Sequence, residues 1–198
     1  MGASTGDLLI KDDEGVEAVL RAIKRRAAFH SEDEYRLEER RGPAVPGDWQ
    51  SHIVVRDVEA AVSSTRRLLR LARKTGKRIH VLHISTAEEM ELLRDAKDLA
   101  SVEVLPNHLT LAAPDCYERL KGFAQQNPPV REQRHQDALW RALNAGIVDV
   151  LIAVHVAIAN GQFGGVDQGA FGIGHGQFFT EIKSGFALHC GPASVLPD

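Results

Sequence analysis

The sequence has 198 residues, of which 26% are charged and 43% hydrophobic, and its formal net charge at pH 7 is -3. This length suffices for one domain with a hydrophobic core, and the small net charge gives no electrostatic reason to expect binding to nucleic acid or an anionic membrane. No apolar run approaches the ~20 residues of a membrane-spanning helix, and the first residues lack the pattern of a signal peptide. The two cysteines, Cys116 and Cys190, form no CxxC pair, which excludes a cysteine zinc knuckle and is typical of a protein in a reducing cytoplasm.

Helical and extended segments alternate from the beginning of the chain. Apolar residues at three-to-four spacing predict a helix over Glu14–Arg26, and the short apolar run Ala27–His30 that follows predicts a strand. A loop with Gly-Pro and Pro-Gly turn signals separates this strand from a long amphipathic helix over Val54–Thr75. We expect Gly76 to end that helix.

The alternation continues through the middle of the chain. The predicted elements are a strand over Arg78–Ser85, a helix over Ala87–Leu99, a strand over Val102–Leu105, a helix over Pro128–Asn144 and a strand over Val148–Val154. This order predicts a parallel α/β architecture. Four strands do not distinguish an open doubly wound sheet from part of a (β/α)8 barrel, but no glycine-rich phosphate-binding loop follows any of them, which argues against a nucleotide-binding sheet.

The composition changes after about Ala157. Nine of the 17 glycines and five of the seven phenylalanines lie beyond this point, and no arginine does. The segment has neither helical nor strand periodicity, so we expect residues 1–158 to form one domain and residues 159–198 to form an irregular, glycine-rich tail. An irregular tail, a frame change and a fusion all remain open as its origin.

Two histidines end predicted strands. His30 and His83 each follow a strand whose carboxyl end would face the ligand side of a parallel α/β protein, where two imidazoles can share a divalent metal. From spacing alone, a hydrogen-bonded histidine pair at the rim is the better interpretation. Strand alternation predicts that His80 points to the opposite side from His83 and packs against the outer helices.

Polar residues near these strands have two possible roles each. Glu32 and Asp33 could orient the His30 imidazole or surround a metal, whereas Glu34 is better interpreted as part of a solvated acidic loop. Asn127 precedes two prolines. A purely structural interpretation makes it the N-cap of the helix that follows.

Several segments occur in an order that resembles the bacterial dihydroorotases. They are MGASTGDLL, FHSEDEYRL, RIHVLHISTAEE, VEVLPNHLTL, CYERL and NPPVREQRHQDALWRAL followed by VDVL. The resemblance covers residues 1 to about 151 and implies a partial TIM-type (β/α)8 barrel of the amidohydrolase superfamily. It also implies a cytoplasmic, zinc-dependent hydrolase that interconverts N-carbamoyl-L-aspartate and L-dihydroorotate in pyrimidine biosynthesis. The partners it implies are this small-molecule substrate and either a second copy of the chain or aspartate transcarbamoylase.

The resemblance assigns roles to individual residues. His30 is similar in position to the metal ligand on the family's fifth strand, and His83 to the ligand on the sixth. This favours metal ligation over the simple hydrogen-bonded pair. Asn127 matches an asparagine that contacts the pyrimidine ring, and His108 matches a histidine that we interpret as structural.

Departures from the family pattern concern the catalytic residues. The family's first-strand HxH motif and the lysine that bridges its metals would precede Met1. On the eighth strand the family has roughly DVLxSDHAPH where this chain has DVLIAVHVAI. Val154 stands in the place of the catalytic aspartate, His155 in that of the next histidine, and Ile158 in that of a substrate-binding histidine. We therefore assign no catalytic residue and expect the isolated chain, with an incomplete zinc site, to be inactive.

Two alternatives to a dihydroorotase remain open. The first is a non-catalytic dihydroorotase-like subunit that scaffolds aspartate transcarbamoylase. The second is a related cyclic-amide hydrolase, such as an allantoinase or a dihydropyrimidinase.

Overall fold

The computed structural model describes residues 10–152 and 180–181 of the chain. Its strands are β1 (Ala27–Phe29), β2 (Ile79–Val81), β3 (Ala100–Val104), β4 (Val150–Leu151) and β5 (Thr180–Glu181). They form one sheet in chain order, in which β1 to β4 are parallel neighbours and β5 is antiparallel to β4.

The strand order distinguishes the two architectures that the sequence left open. In a doubly wound sheet the order reverses at a switch point, whereas here each parallel strand lies beside the next one in the chain. Phe29 pairs with Val81 and Val81 with Val102, so the carboxyl ends of β1, β2 and β3 lie at one edge. This is the arrangement of a segment of a (β/α)8 barrel.

Helices connect the parallel strands. They are α1 (Asp13–Ala22), α2 (Glu34–Glu39), α3 (Ser51–Val55), α4 (Val58–Thr75), α5 (Ala87–Arg94), α6 (Pro106–Thr110), α7 (Asp115–Leu120) and α8 (Gln133–Asn144), with a 3-10 turn at Lys121–Ala124. The short helices α2, α3, α6 and α7 were not predicted from the sequence, because each has too few residues to show a period.

The long helix predicted over Val54–Thr75 is divided in the structure. The chain leaves helical geometry after Val55, and the Asp57 side chain accepts the backbone N–H of Ala60 as the N-cap of α4. An aspartate caps a helix N-terminus well because it satisfies a backbone donor that has no partner within the helix. The predicted end is confirmed, since Gly76 has φ 66° and donates its N–H to carbonyls of the last turn.

Three other predicted helices are shorter than expected. The helix predicted over Glu14–Arg26 ends at Ala22. The helix predicted over Ala87–Leu99 ends at Arg94. The helix predicted from Pro128 begins only at Gln133, with Glu132 in the cap position. Interpreting Asn127 as a helix N-cap is therefore wrong.

The hydrophobic core lies between one side of the sheet and the connecting helices. Alternate strand residues such as Val81 and Val102 point to this side and pack with Leu20, Leu68 and Leu93. The face of α4 that meets the sheet is wholly buried, as its amphipathic pattern predicts. A smaller core lies beneath the segment that joins β3 to α8. Its buried members are Ala113, Cys116, Tyr117, Ala124 and Val130.

Some predictions fall outside the described part of the chain. Val154, His155 and Ile158 lie there, as does the predicted boundary at about residue 158 and most of the predicted tail. In residues 10–152 and 180–181, no helix combines the length and apolar character needed to cross a membrane.

Candidate metal centre at the carboxyl ends of the strands

Two histidines lie side by side at the carboxyl ends of neighbouring strands. His30 directly follows β1, and His83 comes two residues after the end of β2. The Nδ1 atom of His30 is 3.0 Å from the Nε2 atom of His83, and the rings meet edge to face with centroids 4.7 Å apart. The predicted proximity of the two imidazoles is confirmed, while their role as metal ligands stays a prediction.

The backbone of His83 is unusual for a residue with a side chain. Its φ is 39°, in the left-handed region where most non-glycine residues are strained. Such residues cluster at functional sites. Burial, with a further contribution from His30, lowers the pKa of His83 to about 4. At neutral pH the ring is therefore uncharged, which is the form that binds a metal.

A buried carboxylate holds the other side of the His30 ring. The Oε2 atom of Glu32 lies 2.9 Å from His30 Nε2 and also accepts a hydrogen bond from Arg56 Nη1. Glu32 is 0% exposed. Burial raises its pKa, but the hydrogen bond from His30 and the charge of Arg56 outweigh that effect and hold the pKa below its usual value. Glu32 is thus an ionised acceptor inside the protein.

The ionised state of Glu32 determines which nitrogen of His30 carries hydrogen. A carboxylate only accepts hydrogen bonds, so Nε2 of His30 is the donor and its Nδ1 presents a lone pair to His83. A carboxylate that fixes the tautomer of a ligating histidine in this way is a recurring feature of metal sites. The prediction that Glu32 orients the imidazole agrees with this geometry.

The spacing of the two facing nitrogens fits a shared metal. Two nitrogens that each lie ~2.1 Å from a tetrahedral zinc are roughly 3.4 Å apart, and the observed distance of 3.0 Å needs only a small separation of the rings. This spacing is compatible with two of the usual four ligands of a zinc ion. Within residues 10–152 and 180–181, no group of three or more histidine, cysteine, aspartate or glutamate side chains is placed to hold a metal.

The position predicted for His80 is wrong. Instead of packing against the outer helices, its Nε2 lies 3.1 Å from Glu103 Oε2 and its Nδ1 lies 2.8 Å from Ser101 Oγ. Both partners belong to β3 and alternate with Val102, which belongs to the helix-facing core. His80 is therefore on the side of the sheet that becomes the interior of a barrel.

Asn127 lies in the segment that leads to α8, between two backbone carbonyls held by histidines. His52 Nε2 is 2.9 Å from the carbonyl oxygen of Gln126, and His108 Nε2 is 3.1 Å from that of Pro128. The Asn127 side chain also interacts with His52, which partly offsets the effect of burial on the pKa of His52. Burial lowers the pKa of His52 and lowers that of His108 to about 4, so both imidazoles act as neutral supports for this segment.

A buried arginine that was not predicted as a site residue joins this segment to the turn that follows His83. Arg131 donates to the Ser85 hydroxyl over 3.0 Å and to the backbone carbonyl of Arg56 over 3.0 Å. It is 4% exposed. It thereby connects the Asn127 segment, the turn after His83 and the junction between α3 and α4. The only sequence feature that could have indicated burial of Arg131 is its place directly after the apolar Pro-Pro-Val run.

No family model matches the chain. A dihydroorotase of Methanosarcina acetivorans is 34% identical over 169 residues, which is 78% of this chain and 36% of that protein. An allantoinase of Streptomyces avermitilis is 32% identical over 132 residues, which is 64% of this chain and 28% of that protein. The chain thus spans about a third of the length of these curated relatives.

Solved structures show the same fold. The L-hydantoinase of Arthrobacter aurescens matches with a TM-score of 0.69 at 22% identity, over 76% of this chain and 35% of the other. A dihydropyrimidinase from Brevibacillus agri matches with a TM-score of 0.66 at 25% identity, over 74% of this chain and 34% of the other. The fold of the described residues is that of part of an amidohydrolase barrel, as the sequence analysis predicted.

Proposed function

This chain is a partial homologue of the dihydroorotases, in the amidohydrolase superfamily, and we propose that its His30–His83 pair forms half of a zinc site for hydrolysis of a cyclic amide. The proposed reaction is the interconversion of N-carbamoyl-L-aspartate and L-dihydroorotate in pyrimidine biosynthesis. The observation that carries the proposal is the 3.0 Å separation of His30 Nδ1 and His83 Nε2, with Glu32 on the far side of the His30 ring.

Each of the described residues has its own proposed role at this site. His30 Nδ1 and His83 Nε2 would hold the cation, and Glu32 keeps the His30 tautomer that exposes Nδ1. A bound zinc ion would act as a Lewis acid that polarises the carbonyl group of the cyclic amide. Asn127, on the segment supported by His52 and His108, would contact the pyrimidine ring.

We further propose that the isolated chain does not catalyse this reaction. Val154 stands where the family has an aspartate, and a valine side chain neither accepts nor returns a proton. General acid–base catalysis by a positioned group contributes roughly 10²- to 10⁴-fold, so its loss alone removes most of the rate. Within the described residues the pair offers two ligands, so ligands from outside them would be needed to complete the site.

Zinc affinity tests the proposed site without requiring turnover. In competition with a chromophoric chelator, H30A and H83A should each weaken zinc binding by about 10- to 100-fold or more, a loss at least as large as that of an outer-shell partner. H135Q is the matched control, because it also removes one imidazole, and His135 accepts a hydrogen bond from the Ala87 N–H and does not contact the pair. Equal zinc affinity in wild type, H30A and H83A would exclude the proposed site.

The substrate class needs its own test, because the relatives include an allantoinase as well as dihydroorotases. Binding of L-dihydroorotate, allantoin and hydantoin to the zinc-loaded chain would be compared by calorimetry, with N127A as the variant. We expect a preference for dihydroorotate that N127A reduces. A preference for allantoin or hydantoin would assign the chain to that class of cyclic-amide hydrolase instead.

Measurements of turnover and of partner binding distinguish an enzyme from a non-catalytic scaffold. We expect no turnover in either direction above a zinc-only control. Turnover that H83A abolishes would contradict the proposed inactivity. Co-elution of the chain with aspartate transcarbamoylase, without turnover, would favour the scaffold alternative.

A further inference from the structure

The chain is kinked between the end of β2 and His83. Ile79 donates its N–H to the carbonyl of Leu99, and Ile84 donates to the carbonyl of Glu103. Between these two hydrogen bonds the chain advances five residues along β2 but only four along β3. The extra residue interrupts the ladder in the manner of a β-bulge, a feature that re-aims side chains near active sites. The positive φ of His83 lies within this stretch.

A side chain of β3 accepts the backbone N–H of His83. The Oε1 atom of Glu103 is 3.1 Å from His83 N. The other carboxylate oxygen, Oε2, lies 3.1 Å from His80 Nε2, and the Ser101 hydroxyl lies 2.8 Å from His80 Nδ1. Glu103 is 3% exposed. One buried carboxylate therefore bonds both to the kinked residue and to the strand that leads to it.

This contact gives the kink a physical cause. A buried backbone N–H without a partner is costly, and the kink moves the His83 N–H away from the carbonyls of β3. Glu103 replaces the missing carbonyl, which stabilises a left-handed conformation that histidine would otherwise avoid. Without that acceptor, an extended backbone would restore the strand alternation. The His83 ring would then turn to the other side of the sheet, away from His30.

We propose that Glu103 is a positioning residue for His83, which holds the kinked backbone so that Nε2 of His83 faces Nδ1 of His30. Its relevance to a metal site rests on the function proposed above. The conformational role itself rests only on the hydrogen bonds and the backbone geometry of the described residues.

The experiment combines nuclear magnetic resonance with zinc binding on the full chain. Long-range proton–nitrogen spectra of the histidine rings report which nitrogen carries hydrogen and whether the rings are coupled, while amide exchange reports the His83 N–H. The test variants are E103L, which removes both carboxylate oxygens, and E103Q, which keeps an oxygen opposite the His83 N–H. S101A is the matched control. Ser101 lies on β3, as Glu103 does, and the variant removes a buried hydrogen bond to His80 but no contact with His83.

The expected result distinguishes a role of Glu103 in positioning His83 from a general contribution to the stability of the fold. In E103L, exchange of the His83 amide should accelerate by about tenfold or more relative to Ile84. The ring signals of His30 and His83 should change, and zinc affinity should fall by about 10- to 100-fold. E103Q should restore the ring signals and bring zinc affinity to within about threefold of wild type, and S101A should resemble wild type. If E103L does not fold, E103D replaces it, because a side chain one methylene shorter keeps the charge but cannot reach both partners.

Three outcomes would overturn the proposal. E103L, or E103D in its place, could leave the His83 amide and the ring signals as in wild type. S101A could perturb the His83 amide and the ring signals as strongly as E103L does. E103Q could lose as much zinc affinity as E103L. If wild type binds no zinc but E103L still uncouples the rings, the proposed function fails and the positioning role of Glu103 stands.

Discussion

The backbone N–H of Ala87, the first residue of α5, donates to the Nδ1 atom of His135 on α8 over 3.0 Å. This bond joins two helices through residues that are 48 positions apart in sequence. It needs the neutral form of the imidazole, because a protonated ring has no acceptor. His135 is 1% exposed. Burial, with a smaller contribution from the charge of Arg134, lowers its pKa to about 4.

Stability should therefore fall on acidification through this histidine. The unfolded chain protonates its histidine near pH 6.5, whereas folded His135 stays neutral down to about pH 4. Between these values the unfolded state binds more protons, so the free energy of unfolding decreases as pH falls, by on the order of 2 kcal/mol from pH 7 to pH 5. H135Q, which retains an acceptor for the Ala87 N–H, should show a shallower dependence in urea titrations. Equal slopes for the variant and wild type would contradict this assignment.

The left-handed end of α4 gives a second prediction. Gly76 has φ 66°, a conformation that costs a residue with a Cβ atom roughly 1–2 kcal/mol. G76A should lower the free energy of unfolding by about this amount. Gly42 is the control, because it has no positive φ and a Cβ there would meet nothing within 4 Å. If G42A is as destabilising as G76A in thermal denaturation, the backbone explanation is wrong.

The smaller core depends on one buried phenol. Tyr117 is 1% exposed and donates its hydroxyl hydrogen to the carbonyl of Val130 over 3.0 Å. Burial raises the pKa of Tyr117, so it remains a donor at neutral pH. Y117F leaves that carbonyl without its donor and should cost about 1–3 kcal/mol. Y35F, at an exposed tyrosine, should change stability by less than about 0.5 kcal/mol, and amide exchange near Val130 should accelerate only in Y117F.

The sequence predicted the approach of His30 and His83 because both follow apolar strands, and the carboxyl ends of parallel strands meet at one edge. The same argument failed for His80. It assumed unbroken alternation as far as His83, whereas β2 ends at Val81 and an extra residue follows. A bulge depends on hydrogen bonds to the neighbouring strand, which have no periodic signal in the sequence of β2 itself.

Of the helix boundaries, too, some were predictable from the sequence and others were not. The end of α4 at Gly76 follows from the local preference of glycine for the left-handed cap, so it was predictable. The break before Asp57 was not, because the residues on both sides fit one amphipathic pattern and only the capping bond at Ala60 distinguishes them. Likewise, the buried position of Arg131 is stabilised by partners from two separate segments, at Ser85 and at Arg56, and no local pattern identifies them.

The hydrogen bond between Glu32 and His30 gives the prediction closest to the proposed site. E32Q keeps the shape of the side chain but replaces an ionised acceptor with an amide, which bonds either tautomer of the His30 ring. The preference for hydrogen on Nε2 should therefore weaken, and zinc affinity should fall by about 10- to 100-fold. Ring nitrogen shifts of His30 would show the change of tautomer in the metal-free protein. Zinc competition would measure its effect on binding.

Stability must be followed in parallel, because Glu32 also neutralises Arg56. Removing one partner of a buried ion pair typically costs about 3–5 kcal/mol, and E32Q should approach the lower end because the amide oxygen can still accept from the guanidinium. Glu34 is the matched control, since it lies in the same segment and is 2% exposed, so its interpretation as part of a solvated loop is wrong. E34Q should leave the His30 ring shifts and the zinc affinity unchanged. If E32Q loses stability but keeps both the tautomer and the zinc affinity of wild type, Glu32 serves the fold and not the histidine pair.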